Sequence, residues 1–496
     1  MDPIIESLFY LLTPTALMWV FIGVGIGVVA GAIPGLGGGM IMAILLPVTF
    51  TIHHLDAQIF LIGIYVGGVS GGLISAVLLG VPGSPAAVMT VMDGHAMTKQ
   101  GKAARALSMG IMASVVGGMT SWVLLVMLSA PLATFAARLQ SFDYFAFIVL
   151  GLILIAFAGS GSPLRGIVAG LFGMLAAMVG FDSISATNRF TFGVPDIANG
   201  FHILPVLIGA FAIRQVFADV RGGGEQLRTP PTASVSEVVG QLSGAFKYPS
   251  LLIRSSVLGS FIGLLPGIGA NIGAVISYIS AQALSRNKGK FGKGAEEGII
   301  AAECGNNATV GGALMPMISL GIPGSGQDVI LMAALVLHQV QPGPMLIYEH
   351  PDIFYGIISG YLFANIMMLI LMVIAIRYLV MIIRTPMSVL APAILIFCVV
   401  GVISANNLLS DTWVMLGFGV VGYLMSRFKY PLAPFVIGFV LAPLAEERLR
   451  SSLMSTGGEW GPLLTRPIAM TCFALVVVVL LFPILKKFVQ FRLASE

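Results

Sequence analysis

The chain is 496 residues long, with 57% hydrophobic residues, 9% charged residues and a formal net charge of +4. A soluble domain carries about 25% charge, so composition excludes a soluble globular protein and points to an integral membrane protein. The basic residues fall in short loops, which is a pattern of membrane orientation and not of nucleic-acid binding.

Long apolar runs such as 145–158 and 469–485 have helical length and lack the alternation of an outer-membrane barrel. The fold class expected is therefore an all-α polytopic membrane protein. The opening residues Met1-Asp2-Pro3-Ile4-Ile5-Glu6 carry no basic region and no cleavage site, so a removable signal peptide is not expected. Cys304, Cys398 and Cys472 have no metal-like or disulfide spacing and read as apolar packing residues. No H-E-x-x-H, G-x-S-x-G or Walker pattern occurs, so neither a hydrolase nor an ATPase is expected, nor any resident cofactor.

In chain order, apolar segments are expected near 15–33, 38–50, 58–81, 104–130, 143–159, 163–180 and 201–218. A polar stretch follows at 219–249. Further segments are expected near 250–265, 270–284, 308–322 with 327–340, 353–383, 387–405, 412–426, 431–444 and 467–485. This divides the chain into a first transmembrane repeat (1–218), a cytoplasmic linker (219–249) and a second repeat (250–450). A loop with one extra C-terminal helix (451–496) completes it.

The word repeat rests on two motifs. Gly27-x3-Gly31-x2-Pro34-Gly35-x-Gly37 recurs 232 residues later as Gly259-x3-Gly263-x2-Pro266-Gly267-x-Gly269. Leu79-Gly80-Val81-Pro82-Gly83-Ser84 recurs 241 residues later as Leu320-Gly321-Ile322-Pro323-Gly324-Ser325. Pro205–Gly209 and Pro434–Gly438 form a weaker match. Gly and Pro break helices, so Pro34, Pro82, Pro266 and Pro323 are expected to interrupt the membrane segments. Whether the resulting hairpins re-enter or cross is left open.

Charge bias suggests that the repeats are inverted. After the second motif the first half carries Lys99, Lys102 and Arg105, where the second carries Glu349 and Asp352. Between the motifs the bias reverses: His53, His54 and Asp56 stand against the basic stretch from Arg286 to Lys293. Equivalent loops of opposite bias face opposite sides. With the N-terminus outside and the C-terminus cytoplasmic, only Arg138, Arg189, Arg448, Arg450 and Arg466 of the 25 Lys and Arg remain outside.

Twinned helix breaks are what secondary transporters use to build a midplane site. Exposed backbone N–H groups and a helix N-terminus suit a carboxylate. Candidate substrate contacts are Gly35, Gly37, Gly38, Ser84, Gly267, Gly269, Asn271, Gly324 and Ser325, with Asn306 and Asn307 from the more polar second half. Glu303, Asn306 and Asn307 are the candidates for ion coupling, with sodium near Asn306 and Asn307 as the metal to consider. Close packing through small residues and interhelical hydrogen bonding are the structural alternatives. Asp93 reads as a solvated turn residue.

At these motifs the chain resembles the large membrane subunit of the tripartite tricarboxylate transporters. The likeness runs from the Pro34-Gly35 tip through the Asp93-Gly94 to Gly101-Lys102 segment to Glu446-Glu447-Arg448-Leu449-Arg450. It implies bacterial inner-membrane uptake of di- or tricarboxylates such as citrate by symport with Na+ or H+. It also implies two partners, a small membrane subunit and a periplasmic solute-binding protein. A binding-protein-independent exporter or channel for small organic anions is the alternative. Substrate, coupling ion, oligomeric state and elevator against rocking motion stay open.

Overall fold

The computed structural model describes residues 3–33, 36–158, 162–182, 185, 187–222, 234–265, 269–382 and 387–493. In chain order its first helices are α1 (Pro3–Leu11), α2 (Pro14–Ala32), α3 (Gly38–Leu45), α4 (His54–Leu79), α5 (Val88–Lys99), α6 (Ala103–Ala136), α7 (Ser141–Ala158) and α8 (Pro163–Ala177). A hairpin of β1 (Gly180–Asp182) and β2 (Thr187–Arg189) follows, with Gly180 opposite Arg189. Next come α9 (Ile203–Ile208), α10 (Arg214–Gly222), α11 (Val235–Val239), α12 (Pro249–Gly263), α13 (Gly269–Leu284), α14 (Glu296–Leu320), α15 (Gly326–Leu337), α16 (Leu346–Glu349) and α17 (Pro351–Ile382). The last are α18 (Met387–Asn406), α19 (Ser410–Arg427), α20 (Leu432–Ser455), α21 (Gly461–Thr465) and α22 (Pro467–Leu493).

The expectation of an all-helical chain needs one small correction, because the three-residue strands pair. Among the described residues, four helices are long and apolar enough to cross a membrane: Pro14–Ala32, His54–Leu79, Ala103–Ala136 and Pro351–Ile376. Shorter apolar helices accompany them. This is a multi-pass membrane protein.

The chain forms two compact units. The first comprises Met1–Thr134, His202–Leu264 and Ile268–Leu424. At its heart are α4 and α14, buried along nearly their whole length. Glycines make this density possible. A Cβ on Gly27 would strike the Ile64 carbonyl, one on Gly31 the Gly68 carbonyl, and one on Gly71 the Val28 carbonyl. The contacts between α12 and α14 follow the same order: Gly259 on the Gly305 carbonyl, Gly263 on Thr309, and Gly312 on Ser260. Backbones meet because no side chain intervenes, which is how helices associate where water supplies no hydrophobic drive. Outside this pair, Gly117 of α6 seats on the Cys304 carbonyl of α14, and Gly360 of α17 lies against Ile59 of α4.

The second unit comprises Phe135–Phe201, Leu265–Gly267 and Met425–Glu496. There α8 and α20 interlock, Gly173 on the Phe435 carbonyl and Gly438 on the Gly170 carbonyl. Ion pairs hold the polar end. Arg450 Nη1 reaches Asp182 Oδ2 at 2.8 Å and Glu446 Oε1 at 3.0 Å, and Arg189 Nη1 reaches Glu446 Oε1 at 2.8 Å. Arg466 Nη2 donates to the buried Asp143 at 2.9 Å, and Arg448 lies over the Tyr144 ring at 5.3 Å.

Candidate functional site

The breaks after α4 and α14 share one geometry. Each helix ends at a glycine in the left-handed region, Gly80 with φ 72° and Gly321 with φ 70°, a conformation that costs other residues strain. The Ile322 N–H closes the end of α14 on the Pro316 carbonyl at 3.2 Å. Pro82 and Pro323 then keep the chain non-helical until the next element. Ser325 caps α15, its Oγ accepting the Asp328 N–H at 3.4 Å. The buried Oγ of Ser84 has no hydrogen-bond partner among the described residues. Gly83 and Gly324 pack tightly, Gly324 against Ala313 and Gly83 against the Gly31 carbonyl.

Of the earlier breaks, Gly37 has φ 50° ahead of α3, with open space where its Cβ would be. Gly38 lies against the Cα of Gly68. Gly269 opens α13. Pro34, Gly35, Pro266, Gly267 and the Asn271 side chain lie outside the described residues.

The breaks meet crosswise. A Cβ on Gly39, just after the first break of the first half, would be 3.5 Å from the Gln327 side chain at the second break of the other half. Correspondingly, α3 packs on α15, while the turn at 85–87 packs on α13 and α14.

Two buried polar groups of different character flank these junctions. On α14 the fully buried Glu303 accepts from Thr90 Oγ1 at 2.5 Å and Ser114 Oγ at 3.2 Å. Asn307 is committed: its Oδ1 accepts from Ser70 Oγ at 2.6 Å, and its Nδ2 donates to the Glu303 carbonyl at 3.1 Å. Asn306 lies beside the Glu303 carboxylate, yet among the described residues neither of its amide atoms reaches hydrogen-bonding geometry. A buried amide in that state is costly and offers both a donor and an acceptor to a ligand.

The second group surrounds Tyr65 of α4, the position aligned with Asn306. The Tyr65 hydroxyl bonds Ser325 Oγ at 2.9 Å. Beside both stands Asp328, fully buried, with the Gly324 and Ser325 N–H groups also next to its carboxylate and neither oxygen in hydrogen-bonding geometry among the described residues. Sequence reasoning missed Asp328, Thr90 and Ser114. A signal for Asp328 existed, since an aspartate inside an apolar membrane segment is a functional candidate by default. Its place three residues after Ser325 reads equally as a helix cap.

Asp93 corrects an expectation. It lies on α5, buried, and not in a solvated turn. Its Oδ1 accepts the Gly294 and Ala295 N–H groups at 2.9 and 2.8 Å, and its Oδ2 accepts from Tyr278 at 2.9 Å. A residue from the first half thereby satisfies amide donors at the start of α14, where helices lack intrahelical partners.

The model of the tripartite tricarboxylate transporter TctA family matches residues 17–437 of this sequence. The chain belongs to that family. It is therefore a component of a tripartite tricarboxylate transporter, a system with partner subunits and a carboxylate substrate. An uncharacterized 52.8 kDa protein of the TAR-I ttuC' 3' region of Agrobacterium vitis is 33% identical over 479 residues, 96% of this chain and 95% of the relative. An uncharacterized protein of the TAR-II ttuC' 3' region of the same organism is 35% identical over 227 residues, 46% of this chain and 94% of the relative. No solved structure matches. The matched TctA span takes in both sets of helix breaks and both buried polar groups.

Proposed function

We propose that this TctA-family chain is the carrier subunit that moves di- or tricarboxylates into a bacterial cell across the inner membrane by alternating access. Substrate arrives from a periplasmic binding protein, and a small membrane subunit completes the assembly. The observation that carries the reading is the crosswise meeting of helix breaks, α3 against α15 and the 85–87 turn against α13. Broken helices of two halves then converge on a buried region with unmet polar groups, where a carboxylate finds backbone N–H donors without a full buried cation.

The recurrence of the glycine-on-carbonyl contacts in matching order supports an internal repeat, and the charge bias of the loops supports its inversion. The candidate substrate contacts are Gly37, Gly38, Ser84, Gly269, Asn306 and Ser325, with Gly35, Gly267 and Asn271 added from sequence. Glu303 with Asn306 is the candidate coupling site. A cation is needed because carrying net negative charge inward costs about 2.3 kcal/mol per charge per 100 mV of inside-negative potential.

Reconstitution with both partners, followed by uptake of labelled citrate and smaller carboxylates under imposed Na+ or H+ gradients, tests the reading. Uptake should need the binding protein and one gradient. Uptake that survives collapse of both gradients overturns the coupling. Movement without the binding protein favours an exporter or channel instead.

A further inference from the structure

Glu303 is a buried carboxylate whose oxygens are met by two hydroxyls. Asp328 is equally buried; the Tyr65 and Ser325 hydroxyls and the Ser325 and Gly324 N–H groups stand beside it, but neither carboxylate oxygen reaches hydrogen-bonding geometry among the described residues. An ionised carboxylate withdrawn from water without a partner is among the costliest groups a protein can hold, so it is either neutralised or paired. The question is what neutralises it.

Among the described residues, the elements packed against α15 bring no countercharge to Asp328. The elements packed against α15 include α3, α4, the 46–51 turn, α9 and α14. Among the sequences of these elements and of α15, the lone basic or imidazole side chain is His54 at the start of α4. His54 pairs with Asp352 at 3.3 Å and precedes Tyr65 by eleven residues, a helical rise of about 16 Å. The titratable side chain that stands beside Asp328 is the Tyr65 phenol. Beside the carboxylate stand two hydroxyls, Tyr65 and Ser325 Oγ, 2.9 Å from one another, and the backbone N–H groups of Gly324 and Ser325. Oxygen donors around one negative charge suit a small hard cation, and the unwound end of a broken helix is where transporters hold one.

The position also pairs with the first group. By the 241-residue correspondence, Tyr65 aligns with Asn306 and Ser325 with Ser84. The Glu303–Asn306 neighbourhood, by the 85–87 turn, and the Tyr65–Ser325 neighbourhood therefore occupy corresponding places. Each has one buried carboxylate, supplied by α14 in one and by α15 in the other. The charge recurs although the residue does not.

We infer that Asp328, with Tyr65 and Ser325, forms a second cation site that takes up one monovalent cation, Na+ or a proton, separate from the site at Glu303. The inference rests on the carrier reading for its purpose, and two cations then offset the charge of a dicarboxylate.

The test uses the full chain with two readouts. Binding of radioactive sodium, and proton release or uptake on loading, are measured on purified protein; uptake under a Na+ gradient alone or a pH gradient alone is measured with the complete transporter. Asp328→Asn is expected to lose about half of the bound cation and to abolish stimulation by the gradient that drives the wild type. Ser325→Ala, which keeps the charge and removes one ligand, is expected to weaken cation affinity about tenfold, and it carries the test if Asp328→Asn fails to fold. Cation binding and gradient dependence unchanged in both variants overturn the inference. If the wild type moves no carboxylate, the carrier reading fails while the binding measurement still judges Asp328.

Discussion

Asn306 and Asn307 are neighbours on one helix, and their side chains differ completely in bonding. Asn307 joins α14 to α4 through Ser70 and bonds back to its own helix, whereas the Asn306 amide lies beside the Glu303 carboxylate with neither of its atoms in hydrogen-bonding geometry among the described residues. Substitutions should separate them. Asn307→Ala strands the buried Ser70 hydroxyl and should lower stability by about 1–3 kcal/mol. Asn306→Ala removes an unpaired buried amide and should leave the melting temperature unchanged or raised, while uptake falls. Thermal unfolding in detergent beside reconstituted uptake checks both. Equal loss of stability in the two variants would make Asn306 a structural residue. From sequence the two could only be treated alike, because adjacency says nothing about which neighbour each side chain meets.

At the scale of elements, the glycine contacts between α2 and α4 and between α12 and α14 make a sharp distinction. Gly31 and Gly263 meet carbonyl oxygens closer than any Cβ could tolerate, while Gly25 has only Leu371 Cδ1 at 3.8 Å. Gly31→Ala and Gly263→Ala should each destabilise by about 1–3 kcal/mol or more through overpacking, and Gly25→Ala should be neutral. Unfolding of the purified variants reads this directly, and a neutral Gly263→Ala would contradict the packing.

The same scale shows where a linear reading stops. Expected apolar segments at 15–33, 143–159, 163–180 and 353–383 match α2, α7, α8 and α17 closely, because each is a plain apolar run. For α14 the expected start at 308 lies twelve residues after the observed start at Glu296. The polar first half of α14 is helical by its own sequence, but its burial depends on Thr90, Ser114 and Ser70 supplying partners from other helices. The helix α5 was not expected at all, since Asp93-Gly94 resembles a turn; its aspartate is spent on the start of α14.

For the whole molecule, the charge model makes the 219–249 stretch cytoplasmic. The three native cysteines are buried, so a cysteine introduced at Ser234 should dominate labelling. In intact cells a membrane-impermeant maleimide is expected to leave it unlabelled and to react after the membrane is opened. Labelling in intact cells would reverse the topology. Composition determined that the chain lives in a membrane, and glycine and proline determined where its helices break, because both are properties of short stretches of chain. Tertiary structure alone decided that the breaks meet crosswise, that Asn307 is spent and Asn306 is not, and that Asp328 has no countercharge among the described residues. The reason is physical: the state of a buried polar group depends on partners brought from distant parts of the chain, and burial makes each such partner decisive.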